Sequence, residues 1–215
     1  VAEFIGARRG EREILEYLIC FGGIPRYLEE FDFNKSIQVN IERTCFRRSG
    51  FFAEEAEKIF YSQFREAHLY KQIVSLLLKG PLVFQNIADR LKLASGGGLK
   101  RYLDNLVFAG IVEGIPQIND FRAGKTLRYY LADEFLRFHS TFIAPHLEKI
   151  RHASEGIAFE EITKDVWPTF AGFAFERFCL RHRYRISDVM GFRPKVTACG
   201  PVRKTEEGGY QYDLV

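Results

Sequence analysis

Hydrophobic positions in the first third of the chain recur at the spacing of amphipathic helices. Ile14, Leu15, Leu18 and Ile19 define one helical face. The helix is predicted to end at Gly22–Gly23, because glycine accepts the left-handed conformation that closes a helix. Further helices are predicted to begin at Pro25, near Ile37 and near Glu54, so residues 1–64 form an all-helical block.

The second block, residues 65–133, predicts three helices followed by a hairpin. The helices end at Gly80–Pro81, at a turn over Ala94–Gly98 and at Gly110. Apolar and polar residues then alternate, which predicts a strand at Ile111–Glu113 and another at Leu127–Leu131, joined by a polar loop over residues 119–125. This order is that of a winged helix-turn-helix.

The third block, residues 134–215, mixes helices with irregular or extended segments. Phe135, Phe138, His139 and Phe142 share a helix face, and Pro145 should bend or end that helix. A second helix face is predicted over residues 175–182, whereas residues 187–191, 194–199 and 210–215 read as irregular or strand. The predicted fold class is therefore mainly α with a small β component.

Composition narrows the class of protein without naming a function. The 215 residues are 47% hydrophobic and 27% charged, which is ordinary for a soluble globular protein, and 21 are Phe. The net charge of +3 is short of a dedicated nucleic-acid binder, so local patches matter more than the total. Scattered cysteines and the lack of a signal peptide or an 18-residue apolar run predict a cytoplasmic protein without a membrane partner.

Four short strings resemble one known family. The string Gly22–Leu28, GGIPRYL, looks like the lid signature of the archaeal-type ATPases, a branch of the signal-transducing P-loop ATPases. Asp133–Phe138 and Gly172–Glu176 resemble the family's D-x-F-L-x-F and G-x-x-F-E segments. Tyr212–Val215 resembles its E-I-D-L-V strand, with Gln211 where Glu is usual.

The resemblance implies three domains of an AAA+-like protein. Residues 1–64 would be the helical lid, residues 65–133 the winged helix, and residues 134–215 the truncated start of a C-terminal domain resembling the PD-(D/E)xK nuclease fold. The chain begins at Val1 and stops in a strand-like segment, so we expect a piece of a longer protein. The Walker A motif G-x-x-x-x-G-K-[ST] is absent, so ATP would be bound by a missing N-terminal P-loop core and this chain alone should not hydrolyse it.

The lid string supplies the candidate nucleotide-binding residues. The resemblance implies that Gly23 and Pro25 contact ATP or ADP in the intact protein and that Arg26 faces its phosphates. The alternative, from the residues alone, is a helix cap followed by an exposed arginine.

The winged helix supplies candidate DNA-binding residues. Lys100 and Arg101 would lie on the outward face of its third helix, and the wing offers Arg122, Lys125 and Arg128. These five cations can neutralise phosphates, although Asp104 on the same helix face weakens the case. Winged helices also hold an ATPase closed by intramolecular contact, and the charge pattern leaves both roles open.

Other polar residues invite catalytic or binding roles. In a nuclease-like domain, Glu176 and Asp213 would be two carboxylate ligands of Mg²⁺, but the E-x-K element that completes such a site is absent. His139 is more typical of a core histidine than of a metal ligand, and no metal site is predicted. The basic run 181–185 reads as a nucleic-acid contact or as a solvated helix end.

These observations predict the regulatory or effector region of a P-loop ATPase. The alternatives are a stand-alone DNA-binding winged-helix regulator, a Mg²⁺-dependent nuclease and an interaction module. An upstream Walker A motif would indicate the ATPase region. Steep salt dependence of DNA affinity would indicate the DNA-binding regulator, and a downstream E-x-K would indicate the nuclease.

Overall fold

The computed structural model describes residues 9–63, 67–93, 97–119, 122–192, 201–203 and 211–212. The chain forms two compact units, each built from two separate stretches of sequence. The first unit comprises Val1–Ala67 and Asp133–Ala174, and the second comprises His68–Ala132 and Phe175–Val215. The third block of the sequence is thus divided between the two units.

Helices account for most of the described residues, which confirms the predicted mainly α class with a small β component. Up to the middle of the chain, the elements are α1 Glu11–Phe21, α2 Pro25–Leu28, α3 Ile37–Cys45, a 3-10 turn Phe51–Ala53, α4 Glu55–Gln63, α5 Ala67–Leu78, β1 Leu82–Val83, α6 Phe84–Leu91 and α7 Gly97–Phe108.

The remaining elements contain the longest strands and the longest helix. They are β2 Val112–Asn119, β3 Arg122–Leu131, α8 Glu134–Phe138, a π-helical turn His139–Ile143, a 3-10 turn Ala144–His146, α9 Leu147–His152, α10 Phe159–Thr163, α11 Trp167–Arg181, α12 Arg183–Val189, β4 Val202–Arg203 and β5 Gln211–Tyr212.

Helix ends in the first unit follow local sequence signals. Gly22 adopts a φ of 66° after α1 and donates its N–H to the Leu18 carbonyl over 2.9 Å. Pro25 occupies the first turn of α2, as predicted. Asp133 caps α8, because its carboxylate accepts the Leu136 N–H over 2.7 Å.

An aromatic cluster forms the core of the first unit. Phe21 lies 4.9 Å from Phe52 and 5.1 Å from Phe138 between ring centroids, and Phe52 lies 5.2 Å from Phe135. Phe21 and Phe52 precede residue 67, whereas Phe135 and Phe138 follow residue 132. Both stretches of the unit therefore contribute to one core, which accounts for much of the Phe content.

The predicted break near Pro145 and the predicted core position of His139 are both confirmed. Helix α8 gives way to the π-helical turn, and Pro145 lies in the 3-10 turn that follows. His139 is buried beside the Phe135 ring, with ring centroids 5.8 Å apart. Burial lowers the pKa of the His139 imidazole, against a weaker opposing effect of its hydrogen bond to the Ala53 backbone.

The first stretch of the second unit contains α5, α6 and α7 and an antiparallel sheet of order β1–β3–β2. Leu82 in β1 pairs with Tyr129, and Val112 in β2 pairs with Leu131. The order α5–β1–α6–α7–β2–β3 contains the predicted three helices and hairpin. The predicted loop over residues 119–125 is wrong in extent, because the ladder continues to the pair Asn119 and Arg122 beyond a bulge between Pro116 and Ile118.

The last part of the second unit is more helical than predicted. The expectation of irregular or extended structure at residues 187–191 is wrong for its first half, because α12 continues to Val189. Ser187 is buried in this helix and donates its hydroxyl to the Tyr184 carbonyl over 2.8 Å. Residues 194–199, most of the predicted strand at residues 210–215, and Asp213 lie outside the described residues.

Among the described helices, none has both the length and the apolar character needed to cross a membrane. Cys20, Cys45 and Cys179 are free thiols. Burial raises the pKa of the Cys20 and Cys45 thiols, so both are neutral packing residues of the first unit near neutral pH.

Candidate functional site

The Gly23–Arg26 segment of the lid-like string lies on the surface of the first unit. Gly23, Ile24, Pro25 and Arg26 are all exposed, and Ile24 retains 42% of its accessible surface. The rest of the string faces inward, since Tyr27 packs against Phe52 with ring centroids 5.1 Å apart. Tyr27 and Leu28 are therefore buried in the core of the first unit, whereas Gly23, Ile24 and Pro25 face solvent.

Gly22, which precedes this exposed segment, lies close to the carboxylate of Glu134. A Cβ atom added at Gly22 would lie 3.2 Å from Oε2 of Glu134, the first residue of α8. The φ of 66° at Gly22 is also one that residues with side chains rarely adopt. Both constraints select glycine at this position.

Arg26 is exposed but has local partners. Its guanidinium lies 2.6 Å from Glu30 Oε1 and 3.3 Å from Glu29 Oε2, and its Cζ lies 4.8 Å from the centre of the Phe51 ring. Two carboxylates therefore balance its charge, an arrangement that corresponds to the exposed lid arginine of the alternative interpretation. A contact between Arg26 and nucleotide phosphates stays a prediction.

Helix α7 presents the predicted polar face. Lys100, Arg101, Asp104 and Asn105 are all exposed. Lys100 Nζ lies 2.8 Å from Asp104 Oδ2, and this hydrogen bond raises the pKa of Lys100. Asn105 donates to the Tyr70 hydroxyl over 2.7 Å. Asp104 thus offsets the charge of Lys100. The Cζ atom of Arg101 lies 5.3 Å from the centre of the Tyr102 ring.

The three wing cations lie on β3. Arg128 is half-buried and pairs in register with Val83 on one side and Ile115 on the other. Arg122 begins the strand opposite Asn119, and Lys125 follows in the same strand. The side chains of Arg122 and Lys125 lie outside the described part of the structure.

Of the two predicted nuclease carboxylates, Glu176 lies in the described part of the structure and Asp213 does not. Glu176 lies on α11 in the second unit and is half-buried. Asp213 lies outside the described residues, so the pair is not placed together. Within the described ranges, no three His, Cys, Asp or Glu side chains cluster in a way that could hold a metal ion.

A partly buried ion pair that sequence reasoning missed joins α12 to the sheet of the second unit. Arg183 Nη1 donates to Glu113 Oε1 over 2.9 Å and to the Leu180 carbonyl over 2.8 Å, and Arg183 is only 9% exposed. Its Nε is buried without a hydrogen-bond partner among the described atoms. The expectation of a solvated helix end is therefore wrong for Arg183. Its partner Glu113 lies 70 residues earlier in the chain, so no local sequence pattern indicated the pair.

Charge is divided unequally between the two units. The first unit contains 14 Lys and Arg against 19 Asp and Glu, a formal charge of −5. The second contains 17 Lys and Arg against 9 Asp and Glu, a formal charge of +8. The modest total of +3 conceals an acidic unit and a strongly basic one.

The chain is similar to part of a longer archaeal protein. The chain is 29% identical over 167 residues to the uncharacterized protein MJECL04 of Methanocaldococcus jannaschii. The match covers 77% of this chain and 36% of the relative, so the chain spans about a third of that protein's length. No protein family profile matches the chain, and no solved structure matches it.

Proposed function

We propose that this chain is the lid and winged-helix region of an archaeal-type P-loop ATPase, and that its second unit binds DNA. The observation that supports DNA binding best is the formal charge of +8 on the unit that contains α5–α7 and the β2–β3 hairpin. Duplex DNA attracts such a surface through its phosphates, largely without regard to sequence.

The contacts with DNA would come from the helix and the hairpin of the winged helix. A recognition helix contacts DNA mainly through its N-terminal half, where Lys100 and Arg101 lie on α7. Asp104 pairs with Lys100, and the exposed Arg101 follows it on the same helix. Arg122, Lys125 and Arg128 would add contacts from the wing strand β3.

The test is the salt dependence of affinity for a duplex of arbitrary sequence. We expect Arg101→Ala to reduce the slope of log K against log salt by about 0.9, the value for one lost phosphate contact. Arg48→Ala is the matched control, since Arg48 is an exposed arginine of the acidic first unit. Equal effects of both variants, or affinity that does not depend on salt, would count against the proposal.

The lid assignment rests on the exposed string Gly23–Arg26 and on the order of the four family-like strings. ATP or ADP bound by a P-loop core would contact Gly23 and Pro25, and this contact would control whether the winged helix is available. The relative's greater length is compatible with additional domains. The source gene tests this directly: a G-x-x-x-x-G-K-[ST] motif encoded upstream supports the assignment, whereas a start codon immediately before Val1 contradicts it.

A further inference from the structure

The corner between α11 and α12 is a basic segment that the proposed winged-helix contacts do not include. The nine residues Arg177–Arg185 contain four arginines and no acidic residue. The segment belongs to the basic second unit. Its arginines differ sharply in exposure, so their roles can be separated.

Arg181 and Arg183 fasten the corner to the base of the wing hairpin. Arg181 is exposed, yet its Nη1 donates to the Ala132 carbonyl just beyond β3, over 2.7 Å. Arg183 is buried and bonds to Glu113 near the start of β2 over 2.9 Å. These two hydrogen bonds attach the corner to both strands of the hairpin, so the corner and the wing belong to one structural unit.

Arg185 is an exposed arginine that takes no part in fastening the corner. It is exposed, and no carboxylate of a described residue pairs with it. The ring of the neighbouring Tyr184 is 40% exposed and lies 4.8 Å from the Arg183 Cζ. Glu113 offsets the charge of the buried Arg183, and the exposed Arg181 is held at the Ala132 carbonyl, whereas Arg185 is exposed and is not held by either contact.

We propose that this corner is a second phosphate-binding contact for the DNA bound by the winged helix, with Arg185 as its principal ligand. The inference rests on the proposed function. Arginine suits this role because its planar guanidinium can donate two hydrogen bonds to one phosphate. The charge of +8 on the surrounding unit favours a polyanion.

The experiment measures duplex affinity against salt for Arg185→Ala, Arg185→Lys and Arg101→Ala in the whole chain. We expect Arg185→Ala to reduce the slope by about 0.9 and Arg185→Lys to keep most of it, because lysine retains the charge. Lys79→Ala is the control, since Lys79 is an exposed cation of the same unit, and it should leave the slope unchanged.

The outcomes separate this inference from the proposed function. If Arg101→Ala lowers the slope and Arg185→Ala does not, DNA binding stands and the corner contact is refuted. If the chain does not bind the duplex, both are refuted. If Arg185→Ala instead weakens only the binding to vesicles of phosphatidylserine and phosphatidylcholine, the corner binds a lipid surface and the inference is overturned. An unchanged circular dichroism spectrum establishes that the variants are folded.

Discussion

Replacing Glu113 by Gln removes the charge that faces the buried Arg183. The two side chains are 32% and 10% exposed, and the Arg183 Nε is already without a partner. Breaking a fully buried ion pair by removing one partner costs about 3–5 kcal/mol. Because a third of Glu113 reaches water, solvent screens part of that loss. We therefore expect Glu113→Gln to destabilise the second unit by about 2 kcal/mol.

Hydrogen exchange of the β2 and β3 amides is the appropriate assay. Trp167 is the protein's one tryptophan and lies in the first unit, so its fluorescence does not report on the pair. A loss of 2 kcal/mol should speed amide exchange through opening of the unit by about 30-fold. Asp104→Asn is the matched control, because it removes the carboxylate of the exposed Lys100 pair in the same unit, where solvent screens the charges, and it should change the exchange rates little.

A double variant tests the electrostatic origin of the effect. Arg183→Met combined with Glu113→Gln removes the buried cation as well as its partner, and we expect it to recover much of the lost stability. The reasoning is refuted if Glu113→Gln accelerates exchange no more than Asp104→Asn does. It is also refuted if the double variant is less stable than the single one.

Two further predictions concern the first unit. Gly22→Ala should lower the stability of this unit by about 1–2 kcal/mol, because φ is 66° and the new Cβ would lie 3.2 Å from the Glu134 carboxylate. Thermal unfolding followed by tryptophan fluorescence measures this loss. Gly172→Ala is the control and should not destabilise the unit, because a Cβ there meets no neighbour within 4 Å. The lowered pKa of His139 means that the folded state takes up its proton at lower pH than the unfolded state, so stability is complete above about pH 6.5 and falls below it. In the His139→Gln variant, the midpoint of urea unfolding should change less between pH 7 and pH 5 than it does in the unmodified protein. The same substitution at the exposed His152 should not reduce this change.

The elements that sequence reasoning predicted well are those with local causes. The helices ending at Gly22 and Gly110 follow from apolar spacing and a glycine stop, which neighbouring residues determine. Strand β1 was missed because two residues, Leu82 and Val83, carry no periodicity of their own and become a strand only by pairing with β3. The helical continuation to Val189 was missed for a similar reason, since a buried Arg183 anchors α12.

The candidate sites divide in the same way. Helical spacing was enough to predict that Lys100 and Arg101 face outward, and the structure confirms their exposure. Spacing also placed Asp104 on their face, where it pairs with Lys100. The partner of Arg183 lies 70 residues away, so no local pattern could have identified it. The difference in net charge between the two units could not be seen from the sequence, because it depends on the unit boundaries, which long-range packing determines.

The order of synthesis constrains how the first unit can form. Its aromatic core needs Phe135 and Phe138, yet 65 residues of the second unit, His68–Ala132, are translated before them. A nascent chain that has reached residue 132 therefore still lacks Phe135 and Phe138, against which Phe52 and Phe21 pack. Closing so long a loop costs chain entropy, which slows the formation of such contacts. During this interval the apolar faces of α1 and of the Phe51–Ala53 turn are open to chaperones and to aggregation, so translation speed through the second unit should affect the yield of folded protein.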